Sequence, residues 1–260
     1  MSTQNKDFGI VIILDVLGTR QRLIEDIDRF LIDWDSVLNR LEENIHRLEN
    51  HLSGQYRIGI RTKDIFDNIQ IFYPTDDPRT KYVDLTGSNP IWWSLQHSAE
   101  LLTNLIRYAI TKNIFLRGCI SMGYIQEYRN GYYSRALVEN ADLAEGVDMI
   151  GVIAGLSAMR VLNNKSYSSF PRFYRFVKYR IPIKEPTRNR RNEFDRYALV
   201  NLNRQSEIYD NIDDKEIEDI IRKQIQMHCN DSRVRKKWEN TKTFMDYVSV
   251  SGVSDVNLFL

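Results

Sequence analysis

The chain has 260 residues, with 36 Lys+Arg against 35 Asp+Glu and a net charge of +1. That balance lacks the basic excess of a nucleic-acid-binding surface, and no apolar run approaches the ~20 residues of a membrane span. Cys119 and Cys229 make no metal-ligand spacing and point to a reducing compartment; with no signal-peptide core at the N-terminus, a cytoplasmic location is expected.

The length allows one large core or a core with an appendage. Residues 9–19 read Gly-Ile-Val-Ile-Ile-Leu-Asp-Val-Leu-Gly-Thr. The unbroken β-branched run predicts a central strand buried on both faces, ending at Asp15 and turning at Gly18. Leu23, Ile27, Phe30 and Leu31 then share a helical face. Val37, Leu38, Leu41, Ile45 and Leu48 form a second apolar set, with Asp35 or Ser36 able to cap a second helix and Gly54 ending it. Tyr56–Tyr73 alternates as a hairpin whose turn holds Asp67-Asn68. Residues 74–89 are a polar surface excursion, and Pro90 begins a long helix.

Residues 114–123, Ile-Phe-Leu-Arg-Gly-Cys-Ile-Ser-Met-Gly, form another strand, carrying Arg117 inside an apolar run. A short extended piece at 132–136 leads into a small-residue helix to Gly146. Strands follow at 150–153, 173–184 and 197–202, with a helix at 157–162 and a basic turn at 188–192. Two amphipathic helices, 213–227 and 234–248, close the chain. This order predicts an α+β fold: a ferredoxin-like or palm-like mixed sheet with helices on one face, plus C-terminal helices. Residues 1–204 would form the main domain, and 205–260 a helical extension packed on it.

Two carboxylates carry the chemistry. Asp15 alone reads as a helix cap and Asp67 alone as a turn residue. Together, a strand-end aspartate and a hairpin aspartate can bracket a divalent cation, since Mg²⁺ and Mn²⁺ take oxygen ligands and leave room for phosphates. A charge inside an apolar strand is costly unless paired, so Arg117 is either a structural ion pair or an anion partner.

The strand–Asp15–Val16-Leu17-Gly18 unit, the Phe66-Asp67-Asn68 hairpin and the Leu116-Arg117-Gly118 strand, with the Gly131–Leu143 segment after them, resemble a class III nucleotidyl cyclase domain across most of residues 8–250. Ile181-Pro-Ile-Lys184 and Lys237-x-x-Asn240-Thr241-x-x-Phe244 are similar to the Pycsar anti-phage group, which makes cyclic pyrimidine mononucleotides. The resemblance implies two Mn²⁺ or Mg²⁺ ions held by Asp15, Asp67 and the Val16 carbonyl. It implies a triphosphate met by the amides of Leu17, Gly18 and Thr19 and by Lys184, and a base read by Lys63, with Tyr56 narrowing its pocket. Lys63 as a pure donor suits uracil O4 and ranks UTP ahead of CTP; it suits adenine N1 as well, so ATP stands third and the pyrimidine rests on the resemblance. A homodimer with composite sites and a product sensed by a separate effector are further implications.

One departure stands out. Purine cyclases carry an Asn and an Arg on the late helix, where this chain has Glu139 and Leu143, and Arg117 is the candidate replacement charge. A catalytically dead nucleotide-binding relative is the main alternative. A palm polymerase or diguanylate cyclase shares the carboxylate logic, but its Gly-Gly-Asp-Glu-Phe-like turn is missing.

Overall fold

The computed structural model describes residues 7–52, 59–75, 90–128, 131–162, 175–182, 184, 198–200 and 208–250. Strand β1 (Asp7–Val16) lies near the middle of the sheet, antiparallel to β3 (Asn68–Pro74) on one side and to β4 (Leu116–Tyr128) on the other. Its even residues, Ile10, Ile12, Leu14 and Val16, face one apolar layer, and Val11 lies buried on the other side. An uninterrupted apolar run fits only such a doubly covered strand.

β2 (Arg61–Ile65) pairs with β3 at one edge. Beyond β4 come β6 (Gly151–Ala154), β8 (Ala198–Val200) and β7 (Phe176–Lys178). The β4–β6 pairing is parallel and the others are antiparallel, so the sheet is mixed as expected. Gly118 lies opposite Leu14, where an added Cβ would come 2.2 Å from the Ile13 carbonyl oxygen, so only glycine fits there.

Helix α1 (Thr19–Glu25) leads into α2 (Ile27–Leu52), which packs with α3 (Pro90–Thr111) over the even face of β1. α2 is one continuous helix, which corrects the expected break near Trp34. Phe30, Trp34, Val37, Leu41, Ile45 and Leu48 make one seam, and the Ser36 hydroxyl bonds the Tyr108 hydroxyl at 2.7 Å instead of capping.

The helices are not confined to one face. β5 (Gly131–Tyr133) folds back on β4, and α4 (Arg135–Gly146) then crosses the odd face, where Ala136 and Leu137 join Val11, Phe72, Ile125 and Tyr132 in a second small core. Asn140 anchors α4 by donating to the Val11 carbonyl at 2.8 Å. The small buried residues Ala136 and Ala144 let the helix approach the sheet closely.

The short helix α5 (Leu156–Leu162) follows β6. The expected strand at 173–184 is shorter, because Pro182 and Lys184 turn to the end of α4: Asp148 donates to the Pro182 carbonyl and Lys184 to the Gly146 carbonyl, both at 3.0 Å. The last helices are α6 (Asp214–Met227) and α7 (Ser232–Val250). Ile217, Ile221, Trp238 and Phe244 share the main core, and Asn104 on α3 donates to the Asp210 carbonyl at 2.9 Å. Gly54, the 76–89 part of the polar excursion and the basic turn at 188–192 lie outside the described residues.

Candidate active site

The site lies at one end of the sheet, on its odd face. β1 exits at Asp15, which pairs across to Asn68 on β3 and to Arg117 on β4. The β2–β3 hairpin closes over two residues, Phe66 and Asp67. The Val16 amide donates to the Asp67 carbonyl at 3.1 Å, so the two aspartates, 52 positions apart in the chain, become neighbours along the backbone.

Asp15 is paired. Arg117 Nε and Nη2 both donate to its Oδ2, at 2.9 and 2.7 Å, with the guanidinium side chain 11% and the carboxylate 26% exposed. Both donors fall on one oxygen, and Oδ1 takes no part in this pairing. Asp67 Oδ1 accepts from Asn68 Nδ2 at 3.0 Å. Two carboxylates and a peptide carbonyl are hard oxygen donors of the kind Mg²⁺ and Mn²⁺ take, so the chemistry of this donor set fits such an ion. No cluster of three or more His, Cys, Asp or Glu suited to a metal occurs among the described residues.

The turn after β1 is used in part. The Leu17 amide donates to the Phe115 carbonyl at 2.8 Å, which takes it out of the expected phosphate cradle. Gly18 adopts φ +77°, where glycine is favoured, and Thr19 Oγ1 donates to the Val16 carbonyl at 3.0 Å. The Gly18 and Thr19 amides remain as the candidate donors of this turn.

Arg117 and Lys184 meet at the C-terminal end of α4. Lys184 Nζ donates to the Glu145 carbonyl at 2.7 Å, and Arg117 Nη1 donates to the same oxygen at 3.3 Å. Burial, then the charges of Arg117 and Lys237, lower Lys184 to about 8.

Lys63 lies opposite Gln70, on the same face as Asp15 but two strands away and two residues along, which standard sheet spacings put at ~12 Å. Its ammonium pairs with Glu127 Oε1 at 3.0 Å and sits 5.7 Å from the Tyr132 ring centre, and the Glu127 bond raises its pKa. The contact exists because the β4–β5 hairpin bends over β3 toward β2, with Tyr132 donating to Gln70 Oε1 at 3.3 Å. Glu127 was missed in the sequence. Its only signal there is its place near the end of a strand whose partner could not be read. Tyr56 lies outside the described residues.

The late-helix positions are occupied by structural residues. Glu139 Oε1 accepts the Leu156 amide at 2.9 Å, capping α5, and Leu143 is core. Asn140, the asparagine beside them, is fully buried.

No family model matches the chain, and no curated protein matches it. Among solved structures it is similar to an adenylate cyclase of Trypanosoma brucei, described in its monomeric state. The two share 14% identity over 78% of this chain and 96% of that one, with a TM-score of 0.34. No helix among the described residues is long and apolar enough to cross a membrane.

Proposed function

We propose that the chain is a nucleotidyl cyclase that converts a pyrimidine nucleoside triphosphate, UTP before CTP, into its 3′,5′-cyclic monophosphate and pyrophosphate. The observation that carries this reading is the meeting of Asp15 and Asp67 at one sheet tip, beside the Arg117 and Lys184 cations. Asp15, Asp67 and the Val16 carbonyl would hold two Mn²⁺ or Mg²⁺ ions. When bound, these would favour deprotonation of the ribose 3′-hydroxyl and balance the charge on departing pyrophosphate.

The reaction needs no protein nucleophile, so the residues act by position and charge. The Gly18 and Thr19 amides and Lys184 meet phosphate oxygens. Arg117 orients the Asp15 carboxylate and would meet charge developing at the α-phosphate, the role the late-helix Arg would otherwise take. Lys63 and Glu127 offer a donor beside an acceptor, matching uracil O4 and N3–H, or cytosine N3 and its amino group in the reverse sense. The preference for pyrimidines rests on the likeness of the motifs to the Pycsar group, as do a homodimer and a cyclic product read by a separate defence effector.

The engagement of Glu139 and Leu143 in structure favours a second reading, a relative that binds nucleotide without turning it over. Incubating the protein with each of the four NTPs and Mn²⁺, with mass detection of products, separates the two. Cyclic UMP or CMP is expected. Cyclic AMP alone would refute the pyrimidine assignment, and no product from any NTP would refute the cyclase.

A further inference from the structure

Residues 147–150 join α4 to β6 outside any helix or strand, yet Val147, Asp148, Met149 and Ile150 are all buried. A buried stretch of this kind must find partners for its backbone groups elsewhere. The Asp148 amide donates to the Pro182 carbonyl, and the Lys184 amide to the Gly146 carbonyl, both at 3.0 Å. From α7, Asn240 Nδ2 donates to the Asp148 carbonyl at 2.8 Å, and Thr241 Oγ1 accepts the Ile150 amide at 3.0 Å. The buried Thr241 hydroxyl gives its one proton to the Lys237 carbonyl at 2.8 Å, which leaves a lone pair for Ile150. Two aromatic contacts set the helix in place: Trp238 edge-on to Phe115 with ring centres 4.1 Å apart, and Phe244 against Tyr179 at 4.9 Å.

The turn held in this way carries the seat of both site cations. The Glu145 carbonyl, at the end of α4, accepts from Lys184 Nζ at 2.7 Å and from Arg117 Nη1 at 3.3 Å. Arg117 spends its other two donors on Asp15 Oδ2. Each step from α7 to Asp15 is therefore a hydrogen bond or a few bonds of chain. The Asn240-Thr241 pair and the 181–184 segment, which stood out in the sequence without a stated role, converge on one short turn.

We propose that Asn240 and Thr241 are positioning residues of the site: from α7 they hold the turn between α4 and β6 so that the Glu145 carbonyl seats the Lys184 ammonium and, with it, the Arg117 guanidinium that holds Asp15. The C-terminal helices are then part of the working unit and not an appendage to it. That the seated cations serve turnover rests on the cyclase reading; that α7 seats them does not.

The test compares Thr241→Val, Thr241→Ser and Asn240→Leu with Val248→Ala, which trims a buried apolar residue further along the same helix. Circular dichroism checks that each full-length variant is folded. One readout is kcat/KM for the NTP that is cyclised. The other is the pH dependence of trace acetylation of Lys184 by acetic anhydride, followed by mass spectrometry. In the unaltered chain burial and the charges of Arg117 and Lys237, opposed by Asp148 and Glu145, put the Lys184 midpoint at about 8. A displaced turn returns Lys184 to water. Thr241→Val and Asn240→Leu are therefore expected to raise the midpoint toward 10.5 and to lower kcat/KM about tenfold. Thr241→Ser and Val248→Ala keep the midpoint near that of the unaltered chain and kcat/KM within about threefold of it. The proposal is overturned if folded Thr241→Val and Asn240→Leu leave the midpoint unmoved, if Val248→Ala raises it as much, or if Thr241→Ser does not restore it. A midpoint that depends on Asn240 and Thr241, in a chain that cyclises no NTP, leaves the seating in place and removes the cyclase. Cyclic product formed equally well by all four variants removes the positioning role and leaves the cyclase.

Discussion

Replacing Arg117 with Met separates a cation-accepting Asp15 from a merely structural one. The substitution keeps an apolar stem and removes the two hydrogen bonds on Asp15 Oδ2. Stripping one partner from a buried pair costs ~3–5 kcal/mol. Asp15 is 26% exposed, so water recovers part of that and a loss of ~2–3 kcal/mol is expected. A divalent cation at 100 times its dissociation constant returns ~2.7 kcal/mol by linkage, enough to offset the loss. In the unaltered chain an incoming cation meets the guanidinium already on Asp15, so its gain is smaller. Urea denaturation with and without saturating Mn²⁺ reads both quantities. The expected result is an Arg117→Met protein that is destabilised without metal and rescued by Mn²⁺ more than the unaltered chain, with the rescue abolished by adding Asp15→Asn. Equal Mn²⁺ stabilisation of both proteins, or none in the variant, would refute the reasoning. Turnover should fall in the variant even as its metal binding improves.

Two further outcomes follow from other parts of the fold. Phe66, at the hairpin tip beside Asp67, is 93% exposed with φ +59°, a left-handed conformation that costs a bulky residue ~1–2 kcal/mol. Phe66→Asn should therefore raise Tm by ~2–4 °C, independent of protein concentration; a fall in Tm would show that the ring is packed in solution. His97 on α3 is lowered to about 4, first by burial and then by His51 and Arg175, with Glu100 opposing. The unfolded chain binds this proton below about pH 6.5 and the folded chain only near 4, so stability is full above 6.5 and declines as pH falls toward 4. The His97 ring is partly exposed, which reduces the effect to ~1–2 kcal/mol. Denaturation at pH 7.5 and 5 should differ by that amount more in the unaltered chain than in His97→Gln, and equal pH slopes would exclude His97 as the source.

Much of the frame was readable because local pattern and tertiary role agree. Ile10–Leu14 needs two covered faces and has them, the 61–74 alternation makes the edge hairpin, and Pro90 opens a helix as its ring permits. The break assigned within α2 failed because Ser36 finds its partner on Tyr108, 72 residues away, and a cap cannot be told from such a contact in the chain alone. The cover of the odd face by α4 was hidden for a similar reason, since the small residues Ala136 and Ala144 do not say which side of the sheet they meet. At the candidate site the aspartates stood out as carboxylates at a strand end and at a turn. The Leu17 amide could not be assigned, since its acceptor on Phe115 depends on how β4 registers against β1. Glu127 reaches its place only through the bend of the β4–β5 hairpin, which leaves no local signature.

The composition of the sheet tip narrows what it can serve. A site for a metal alone would gain from Asp15 and Asp67 but would be weakened by Arg117 and Lys184 beside them, because those cations oppose a divalent ion. A site for an anion alone would use the two cations and be weakened by the two carboxylates. Each set is compatible with the other only when the ligand brings both signs of charge, as a polyphosphate with its divalent ions does. Arg117 folds onto Asp15, and Lys184 rests on the end of α4, so each cation is met by an acceptor of the fold itself.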